Sequence, residues 1–421
     1  MKIEVICTGD ELLTGITTDT NSPYFMGKLF ALGEQVTYGQ VVPDDREAIT
    51  QALRGAASRA DAVLVSGGLG PTADDLTAEC AAVAAGVPMV QHEETLRRIQ
   101  ARFIQRGMAF TPNNARQAQV PAGAEVVTNA VGTAPMFIQR VGRCTLFFVP
   151  GVPKEYRHLV DYEVLPRLKA LIDAQPDRVY RAFRLLKTVG LAESHLDAKI
   201  APLAKAHASV TFGYRTHAPE NHLKLLAHGP SQREADETLS RAAAACREVL
   251  GSRVFGKDAD TLAGAVLARL KAGGHTVATA ESATGGLVAH WLVSEVGAGD
   301  AFLGGVVPYD PSLKLRFLGV DPAKLGAPGA VSGPVTRALA DAVRRESGAT
   351  FGLATTGYAG PTGGTDEDPV GTVYCALVGP GVDRVERYSL PGERERVRLF
   401  GAALALDLLR VSLPDAAPST L

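Results

Sequence analysis

Apolar and polar positions along the first 170 residues follow the rhythm of alternating strands and helices. Short strand-like runs occur at 3–7, 36–42 and 62–66. Between them, apolar residues recur with helical spacing at about 22–32 and 45–57. This alternation predicts right-handed βαβ units and a parallel sheet that is covered on both faces.

The rest of the chain divides into blocks of different pattern. A further helical and strand-like stretch reaches Val149, and a helix over 153–172 precedes a polar turn at 173–177. In the next block we predict strands at 181–187 and 222–227, with helices near 193–206 and 234–250. From Asp258 a second α/β pattern begins, with strands at 275–280, 302–307, 350–356 and 372–378 and helices at 261–272, 287–295, 334–346 and 393–409.

These patterns predict the α/β fold class. Two α/β domains, at 1–172 and 257–413, are joined by a small α+β module at 173–256, and residues 414–421 form a disordered tail. The length of 421 residues also favours two or three domains over one core.

Composition and charge exclude several classes of protein. With 43 Lys+Arg against 45 Asp+Glu, the chain has no bulk basic field to hold DNA or an anionic membrane. Five cysteines, none in a C-x-x-C pair, argue against zinc ribbons, iron–sulfur clusters and a disulfide framework. No apolar run approaches the ~18 residues that span a bilayer, and the first apolar stretch is too short for a signal peptide. We therefore expect a cytoplasmic protein.

Three acidic loops follow predicted strands of the first domain, at 8–11, 43–45 and 66–76. In doubly wound sheets, ligands bind at the carboxyl ends of the strands. The N–H groups of a glycine-rich loop can converge on a phosphate, and the glycines here are Gly67, Gly68 and Gly70. Carboxylates from neighbouring loops could hold a divalent cation against that phosphate, and the candidates are Asp10, Asp44 and Asp75. The pattern predicts chemistry on a diphosphate.

A simpler interpretation exists for two of these acidic loops. Asp44 with Glu47, and Thr72 with Asp75, have the spacing of helix capping boxes. Each pair alone is explained at least as well by a helix cap. Three acidic loops at one sheet edge favour the binding site.

The motifs GDELLTGITTDTNSPY (9–24), VVPDD (41–45) and SGGLGPTADDLT (66–77) resemble the N-terminal domain of the CinA (competence/damage-inducible) family. Further matches are PNNARQA (112–118), GTAP (132–135) and PGVPKE (150–155), although Met136 stands where the family usually has glycine. The resemblance implies a fold similar to molybdopterin-binding domains and metal-dependent hydrolysis of ADP-ribose to AMP and ribose 5-phosphate. It places Asp44 and Asp75 near the metal, Mg²⁺ or a similar ion, and gives the phosphate loop as Gly67, Gly68, Gly70 and Thr72.

In the C-terminal block, Ser282 stands where a predicted strand turns into a helix through two glycines. Free N–H groups at such a turn suit an oxyanion or a phosphate, and the serine could act as a nucleophile. The alternative is that Ser282 or Thr284 only caps the helix. Tyr309 and Lys314 follow the next strand. Since no His or Asp neighbours the serine in sequence, a Ser–Lys arrangement is favoured over a His-containing triad.

This half resembles the C-terminal domain of CinA and the stand-alone PncC nicotinamide mononucleotide deamidases, through TAESATGG (279–286), GGVVPYDPSLK (304–314), LGV, GAVS, TTGYAGPTGG (355–364) and PVGTVY. The resemblance implies metal-free hydrolysis of the carboxamide, with Ser282 as nucleophile and Tyr309 and Lys314 as its activating partners. Two residues depart from the pattern: Ala283 replaces a cysteine and Pro311 an asparagine. The implied oxyanion and ribose-phosphate contacts are Thr284, Gly285, Gly286, Thr356, Gly357, Gly360, Gly363 and Gly364.

The middle block contains GLAESHLDAKI (190–200), which is similar to the KH-like linker module of full-length CinA proteins. KH modules that hold RNA need a G-x-x-G loop, and none occurs in 178–250. We therefore expect a spacer with no direct nucleic-acid or membrane contact. The resemblance further implies a homodimer.

The leading hypothesis is a bifunctional hydrolase of pyridine-nucleotide salvage. One alternative is a protein that binds or adenylylates molybdopterin. The other is a non-enzymatic partner of competence or recombination machinery.

Overall fold

The computed structural model describes residues 1–175, 178–319 and 329–413, with no side-chain description at 317 and 318. The chain forms two compact units: 1–181 with 230–232, and 182–229 with the chain from 233 onward. The KH-like block therefore lies in one unit with the C-terminal block. Pro176 and Asp177 of the predicted polar turn, Val320 of the LGV motif and the predicted tail at 414–421 lie outside the described residues.

The first unit follows the βα alternation expected from the hydrophobic pattern. Its elements are β1 (Ile3–Thr8), α1 (Asp10–Leu13), α2 (Asn21–Ala31), β2 (Val36–Val42), α3 (Arg46–Arg59), β3 (Ala62–Ser66), α4 (Thr77–Ala85), β4 (Met89–Gln91), α5 (Glu93–Gln105), α6 (Pro112–Ala115), β5 (Gln119–Pro121), β6 (Glu125–Val127), β7 (Met136–Val141), β8 (Cys144–Val149), α7 (Pro153–Leu159) and α8 (Leu165–Asp173). A π-helical turn at Val160–Val164 joins α7 to α8, so the helix predicted over 153–172 is nearly continuous.

The main sheet of this unit has the order β2-β1-β3-β8-β7-β6. β1 pairs parallel with β2 and β3, and β3 pairs parallel with β8. β7 pairs antiparallel with β8, because a two-residue turn with Gly142 at φ 60° joins the two strands directly, and β6 pairs antiparallel with β7. The prediction of a parallel sheet is wrong at this end, and the sheet is mixed. Apolar clusters cover both faces of the sheet, as predicted.

Both predicted capping boxes are wrong. The N-cap of α3 is Asp45, whose Oδ1 accepts from the Ala48 N–H at 2.8 Å. α4 begins only at Thr77, after Leu76, so Thr72 and Asp75 precede the helix. Asp44 and Asp75 are therefore not used as helix caps.

The second unit begins with the KH-like module and continues into the C-terminal domain. Its elements are β9 (Tyr180–Val189), α9 (Glu193–Ala206), β10 (Val210–His217), β11 (Glu220–Gly229), α10 (Gln232–Leu250), β12 (Val254–Lys257), α11 (Leu262–Ala272), β13 (Val277–Glu281), α12 (Leu287–Val293), β14 (Phe302–Val306), α13 (Pro311–Leu318), α14 (Gly333–Ser347), β15 (Phe351–Gly357), β16 (Thr372–Gly379), β17 (Val382–Ser389) and α15 (Arg394–Ser412).

The KH-like module has a four-stranded sheet in the order β10-β11-β9-β12. Its strands β10 and β12 are absent from the sequence prediction. β10 is an edge strand whose residues after Val210 are partly or fully exposed, so it lacks the apolar run that marks a buried strand. It forms an antiparallel hairpin with β11.

The C-terminal domain has a five-stranded sheet in the order β14-β13-β15-β16-β17. β13 pairs parallel with both β14 and β15, and β16 and β17 are antiparallel. One apolar cluster packs α11, α12 and α15 against the sheet, and a second packs α14 against it. The prediction omits β17, an edge strand that is largely exposed and carries four charged residues. Among the described residues, no helix is long and apolar enough to cross a membrane.

Candidate functional site

The three acidic loops of the first unit meet at one edge of the sheet, because β2, β1 and β3 are parallel neighbours. There they line a cavity of about 430 Å³ together with Thr133, Ala134 and residues 150–152. Its carboxylates are Glu11, Asp44, Asp74, Asp75 and Glu155. None of the described residues that line it is Lys or Arg. The sheet edge predicted from the sequence is therefore a strongly acidic cavity.

Asp10 and Asp44 are held together across two loops. The Asp10 N–H donates to Asp44 Oδ2 at 3.2 Å, and the Asp44 N–H donates to Asp10 Oδ1 at 3.3 Å. Asp44 lines the cavity, whereas Asp10 does not. Partial burial raises the pKa of the Asp44 carboxyl, and the nearby charges of Asp10, Glu11 and Asp74 raise it further. A bound cation would relieve this repulsion.

Asp75 accepts hydrogen bonds from within the loop at 67–72 that was predicted to bind phosphate. Its carboxylate accepts from the Gly70 N–H at 2.7 Å, from the Thr72 N–H at 2.8 Å and from the Thr72 hydroxyl. The Gly67 N–H donates to Val149 O at 3.1 Å. The predicted cradle of three convergent N–H groups is therefore wrong for Gly67 and Gly70, because both donors are engaged inside the protein.

Two of these glycines are required by close packing at positive φ. A Cβ on Gly67, at φ 105°, would lie 2.5 Å from Thr8 O, and one on Gly68, at φ 65°, would lie 2.1 Å from Thr77 Oγ1. No side chain fits at either position without moving β1 or α4. The glycines thus let the loop backbone pack directly against the end of β1 and the start of α4.

The carboxylates fit an open magnesium-type site. Among the described residues, no three His, Cys, Asp or Glu side chains are grouped to hold a metal, so Asp10, Asp44 and Asp75 do not form the predicted three-ligand set. Mg²⁺ commonly uses only one or two carboxylates together with substrate phosphates and water. Asp44 and Glu11, which both line the cavity, suit that kind of site.

Sequence reasoning missed Glu155 and the residue that holds it, Asn129. The fully buried Asn129 donates to Glu155 Oε2 at 2.7 Å and to Ala134 O at 2.9 Å. In the sequence, the PGVPKE and GTAP motifs could have pointed to Glu155 and its surroundings. Met136, the departure from the family pattern, is fully buried in the core and does not line the cavity.

In the C-terminal domain, Ser282 directly follows β13 and is 7% exposed. Its N–H donates to Thr355 O at 2.9 Å, and among the described residues its hydroxyl has no hydrogen-bond partner. Glu281, which sequence reasoning missed, accepts from Val288 N–H at 3.0 Å and Ala289 N–H at 2.8 Å. The first donors of α12 are thus satisfied by Glu281, and the interpretation of Ser282 or Thr284 as helix cap is wrong.

Tyr309 and Lys314 follow β14, the parallel neighbour of β13, so both lie at the same sheet edge as Ser282. Tyr309 is 59% exposed, and its Oη accepts from Arg394 Nη2 at 3.1 Å. Lys314 is 2% exposed, its Nζ donates to Ala330 O at 3.4 Å, and burial lowers its pKa. Within the described part of the chain, no hydrogen bond joins Ser282 to either residue.

Two arginines that sequence reasoning missed connect the loops after β13, β14 and β15. Arg394 also donates to Gly360 O at 2.9 Å, and Arg398 donates to Thr284 O at 3.1 Å. They are four residues apart at the start of α15 and so project from one helix face. The i, i+4 arginine pair near the start of the helix predicted at 393–409 could have pointed to these residues.

The predicted glycine contacts lie in these loops. Positive φ angles occur at Gly285, Gly286, Gly360, Gly363 and Gly364. A Cβ on Gly357 would lie 2.6 Å from Thr372 O, so that glycine permits strand packing. Thr356 is fully buried and its hydroxyl bonds with that of Thr336 at 2.6 Å. Ala283 is buried and Pro311 begins α13, so neither departure disturbs the local fold.

Comparisons with protein families account for almost the whole chain. A family model described as "Probable molybdopterin binding domain" matches residues 4–170. Models described as "Damage-inducible protein CinA KH domain" and "CinA C-terminal domain" match residues 183–256 and 259–413.

Two curated relatives give the same result. The chain is 52% identical over 421 residues to a CinA-like protein of Myxococcus xanthus (strain DK1622), with 100% of both chains covered. It is 47% identical over 415 residues to a CinA-like protein of Anaeromyxobacter sp. (strain Fw109-5), with 98% of this chain and 99% of the relative covered. A solved structure from Thermoplasma acidophilum, described as CinA with unknown function, has 37% identity and a TM-score of 0.37, and the match covers 41% of this chain and 98% of that one.

Proposed function

Because this chain belongs to the CinA family, we propose that it is a hydrolase with two independent sites. The C-terminal site deamidates nicotinamide mononucleotide to nicotinate mononucleotide and ammonia. The N-terminal site hydrolyses ADP-ribose to AMP and ribose 5-phosphate. The observation that carries the proposal is Ser282, a nearly buried serine with an unpartnered hydroxyl among the described residues, at the same sheet edge as the buried Lys314.

In the proposed deamidation, Ser282 Oγ attacks the carboxamide carbon and Lys314 accepts the hydroxyl proton. The proton then passes to the nitrogen, the carbon–nitrogen bond breaks and ammonia leaves. Water hydrolyses the resulting ester, which yields the carboxylate and restores the serine. N–H groups around Thr284–Gly286 would stabilise the oxyanion. The reaction needs no metal.

The same site has groups suited to a ribose phosphate. The loop at 357–364 has glycines at positive φ. Arg394 contacts this loop and Arg398 contacts the loop after β13, so both would supply positive charge to a bound phosphate. Tyr309, held by Arg394, would then contact the substrate from the exposed side. The test is ammonia release from nicotinamide mononucleotide by the full chain with metal chelated. A folded protein that releases none would contradict the proposal.

A pH dependence follows from the burial of Lys314. A general base must be neutral, and burial lowers the pKa of Lys314 below the ordinary lysine value. We expect kcat/KM for deamidation to rise with pH through that lowered pKa. Lys314→Arg, which stays protonated, should lose at least ~10²-fold. Lys257→Arg, at an exposed lysine, is the matched control. A wild-type profile without this rise would exclude Lys314 as the base.

At the N-terminal site, Asp44 and Glu11 would hold a divalent cation. When bound, such an ion neutralises the diphosphate and lowers the pKa of a water. The glycines at 67, 68 and 70 would leave room for the diphosphate beside the loop backbone. Asn129 holds the carboxylate of Glu155 at the wall of the same cavity. Without a cation, the acidic lining would repel the anionic substrate.

Removing one carboxylate tests this site. We expect Asp44→Asn to reduce ADP-ribose hydrolysis by about 10²-fold or more and to weaken Mg²⁺ binding measured by calorimetry. Ammonia release should not change. Asp45→Ser is the matched control, since it removes the adjacent charge but keeps an N-cap residue for α3. Equal loss in both variants would argue against a specific role for Asp44.

A second candidate for the N-terminal domain is molybdopterin binding, which the family description of residues 4–170 favours. Competition between molybdopterin and ADP-ribose for the cavity would reveal it. We further propose a homodimer that acts in the cytoplasm on nucleotide substrates. A role as partner of competence or recombination machinery would require a protein contact, given the nearly balanced charge.

A further inference from the structure

The second unit contains a cavity that neither proposed reaction uses. Its volume is about 260 Å³, and it lies where the β10–β11 hairpin of the KH-like module approaches the C-terminal domain. Pro219 and Glu220 line it from the hairpin, residues 261–263 from the start of α11, and Trp291, Ser294 and Glu295 from the end of α12. Ser282 precedes the first turn of α12, so the cavity lies at the other end of that helix.

The only charged residues that line this cavity, among those described, are two acids. Glu295 Oε1 accepts from the Thr261 hydroxyl at 2.5 Å, and Glu220 Oε2 lies 2.7 Å from Nε2 of the buried His222. The second oxygen of each carboxylate has no hydrogen-bond partner within the described chain. The cavity therefore presents negative charge with unused acceptors.

The wall between the acids is mainly apolar and includes Trp291, the one tryptophan of the chain. Trp291 is partly buried and packs against the main core cluster of the domain, which fixes its position. Indole attracts cations more strongly than any other side-chain ring, and the attraction grows when the cation is desolvated. An apolar wall disfavours a hydrated metal ion but accepts a cation with a flat hydrophobic body.

We infer that this cavity binds a small planar organic cation of the N-alkylpyridinium class. Its volume is below the ~300–1,000 Å³ of pockets for drug-sized ligands, so a single ring fits better than a whole nucleotide. The nicotinamide ring of the proposed substrate is such a cation. The statement that the substrate itself binds in this cavity rests on the proposed function, whereas the binding of a planar organic cation does not.

The single tryptophan makes binding directly measurable. The full-length Ser282→Ala chain, in which the carboxamide of the probe cannot be attacked by that serine, is titrated with 1-methylnicotinamide while indole fluorescence is recorded. We expect saturable quenching, with neutral nicotinamide binding about fivefold more weakly or worse. Quenching that stays linear in probe concentration, as for free N-acetyltryptophanamide, would overturn the inference.

Charge variants distinguish binding by the two acids that line the cavity from a general attraction of cations to the protein. Glu220→Gln and Glu295→Gln should each weaken binding of the cation about threefold or more while leaving neutral nicotinamide unchanged. Glu248→Gln, an equal change of charge at an exposed position of α10, is the matched control. Circular dichroism checks folding of each variant. Equal affinity in the parent Ser282→Ala chain and in the three charge variants made in it would contradict the site, whereas absence of ammonia release from the wild-type chain would contradict only the proposed deamidase.

Discussion

Ser282→Ala should abolish ammonia release from nicotinamide mononucleotide, with a loss of about 10³-fold or more, and leave ADP-ribose hydrolysis unchanged. The hydroxyl is the nucleophile in the proposed reaction, and alanine removes it without adding volume. Because Ser282 is held through its backbone N–H and its hydroxyl has no partner within the described residues, the substitution breaks no internal hydrogen bond. Stability should therefore be unaffected. Both activities are measured on the same preparation.

Ser240→Ala, at an exposed position of α10, is the control for the loss of a serine hydroxyl elsewhere. Asp44→Asn provides the reverse pattern, with ADP-ribose hydrolysis lost and ammonia release kept. If Ser282→Ala lowered both activities in a folded protein, the proposal of two independent sites would be wrong. If ammonia release persisted, Ser282 would not be the nucleophile.

The second large effect is expected on stability. Arg410 is 1% exposed and donates to the Asp407 carboxylate at 2.6 and 2.8 Å and to Ser252 O. Burial raises the pKa of Asp407, while Arg410 acts in the opposite direction. Arg410→Met would leave a buried carboxylate without its partner, and we expect a loss of about 3–5 kcal/mol in the free energy of unfolding. The shift of the urea midpoint measures it.

Two further variants serve as controls for this prediction. Arg337→Met breaks an ion pair with Asp383 in which both side chains are about half exposed, and it should cost no more than about 1 kcal/mol. Adding Asp407→Leu to Arg410→Met removes the carboxylate that has lost its hydrogen-bond partner. The double variant should recover much of the lost stability. Similar midpoints for Arg410→Met and Arg337→Met would show that the buried pair contributes little.

The parts of the fold that the sequence predicts well are those with strong local signals. Strands at 36–42 and 62–66 have the predicted bounds. The strand at 62–66 is buried at every position, as its apolar run predicts, whereas the strand at 36–42 is a largely exposed edge strand that ends in the apolar pair Val41 and Val42. The edge strands β10 and β17 were missed, because charged and polar residues interrupt their apolar positions. The capping boxes were wrong for a related reason, since several acids near a helix start share the spacing and only the backbone path selects Asp45.

The candidate sites likewise have features that the sequence predicts and features that it does not. Loops at the carboxyl ends of neighbouring parallel strands must lie at the same end of the sheet. The meeting of the acidic loops, and the placement of Ser282 at the same end as the loop after β14, could therefore be predicted. The use of Asp75 to satisfy its own loop could not, because one carboxylate serves equally well as metal ligand or as internal acceptor. Glu155 and Arg394 reach their sites from elements distant in sequence.

The sequence by itself determined the family motifs and much of the order in which the strands and helices follow, because the period of apolar residues and the glycine-rich motifs are local properties of the chain. Only the tertiary structure decided which donors and acceptors remain available. The Gly67 and Gly70 N–H groups, the Glu281 carboxylate and the Asp75 carboxylate are all engaged internally, whereas Asp44 lines the cavity and Lys314 is buried. Hydrogen-bond partners and burial depend on elements far apart in the chain, and packing alone brings those elements together.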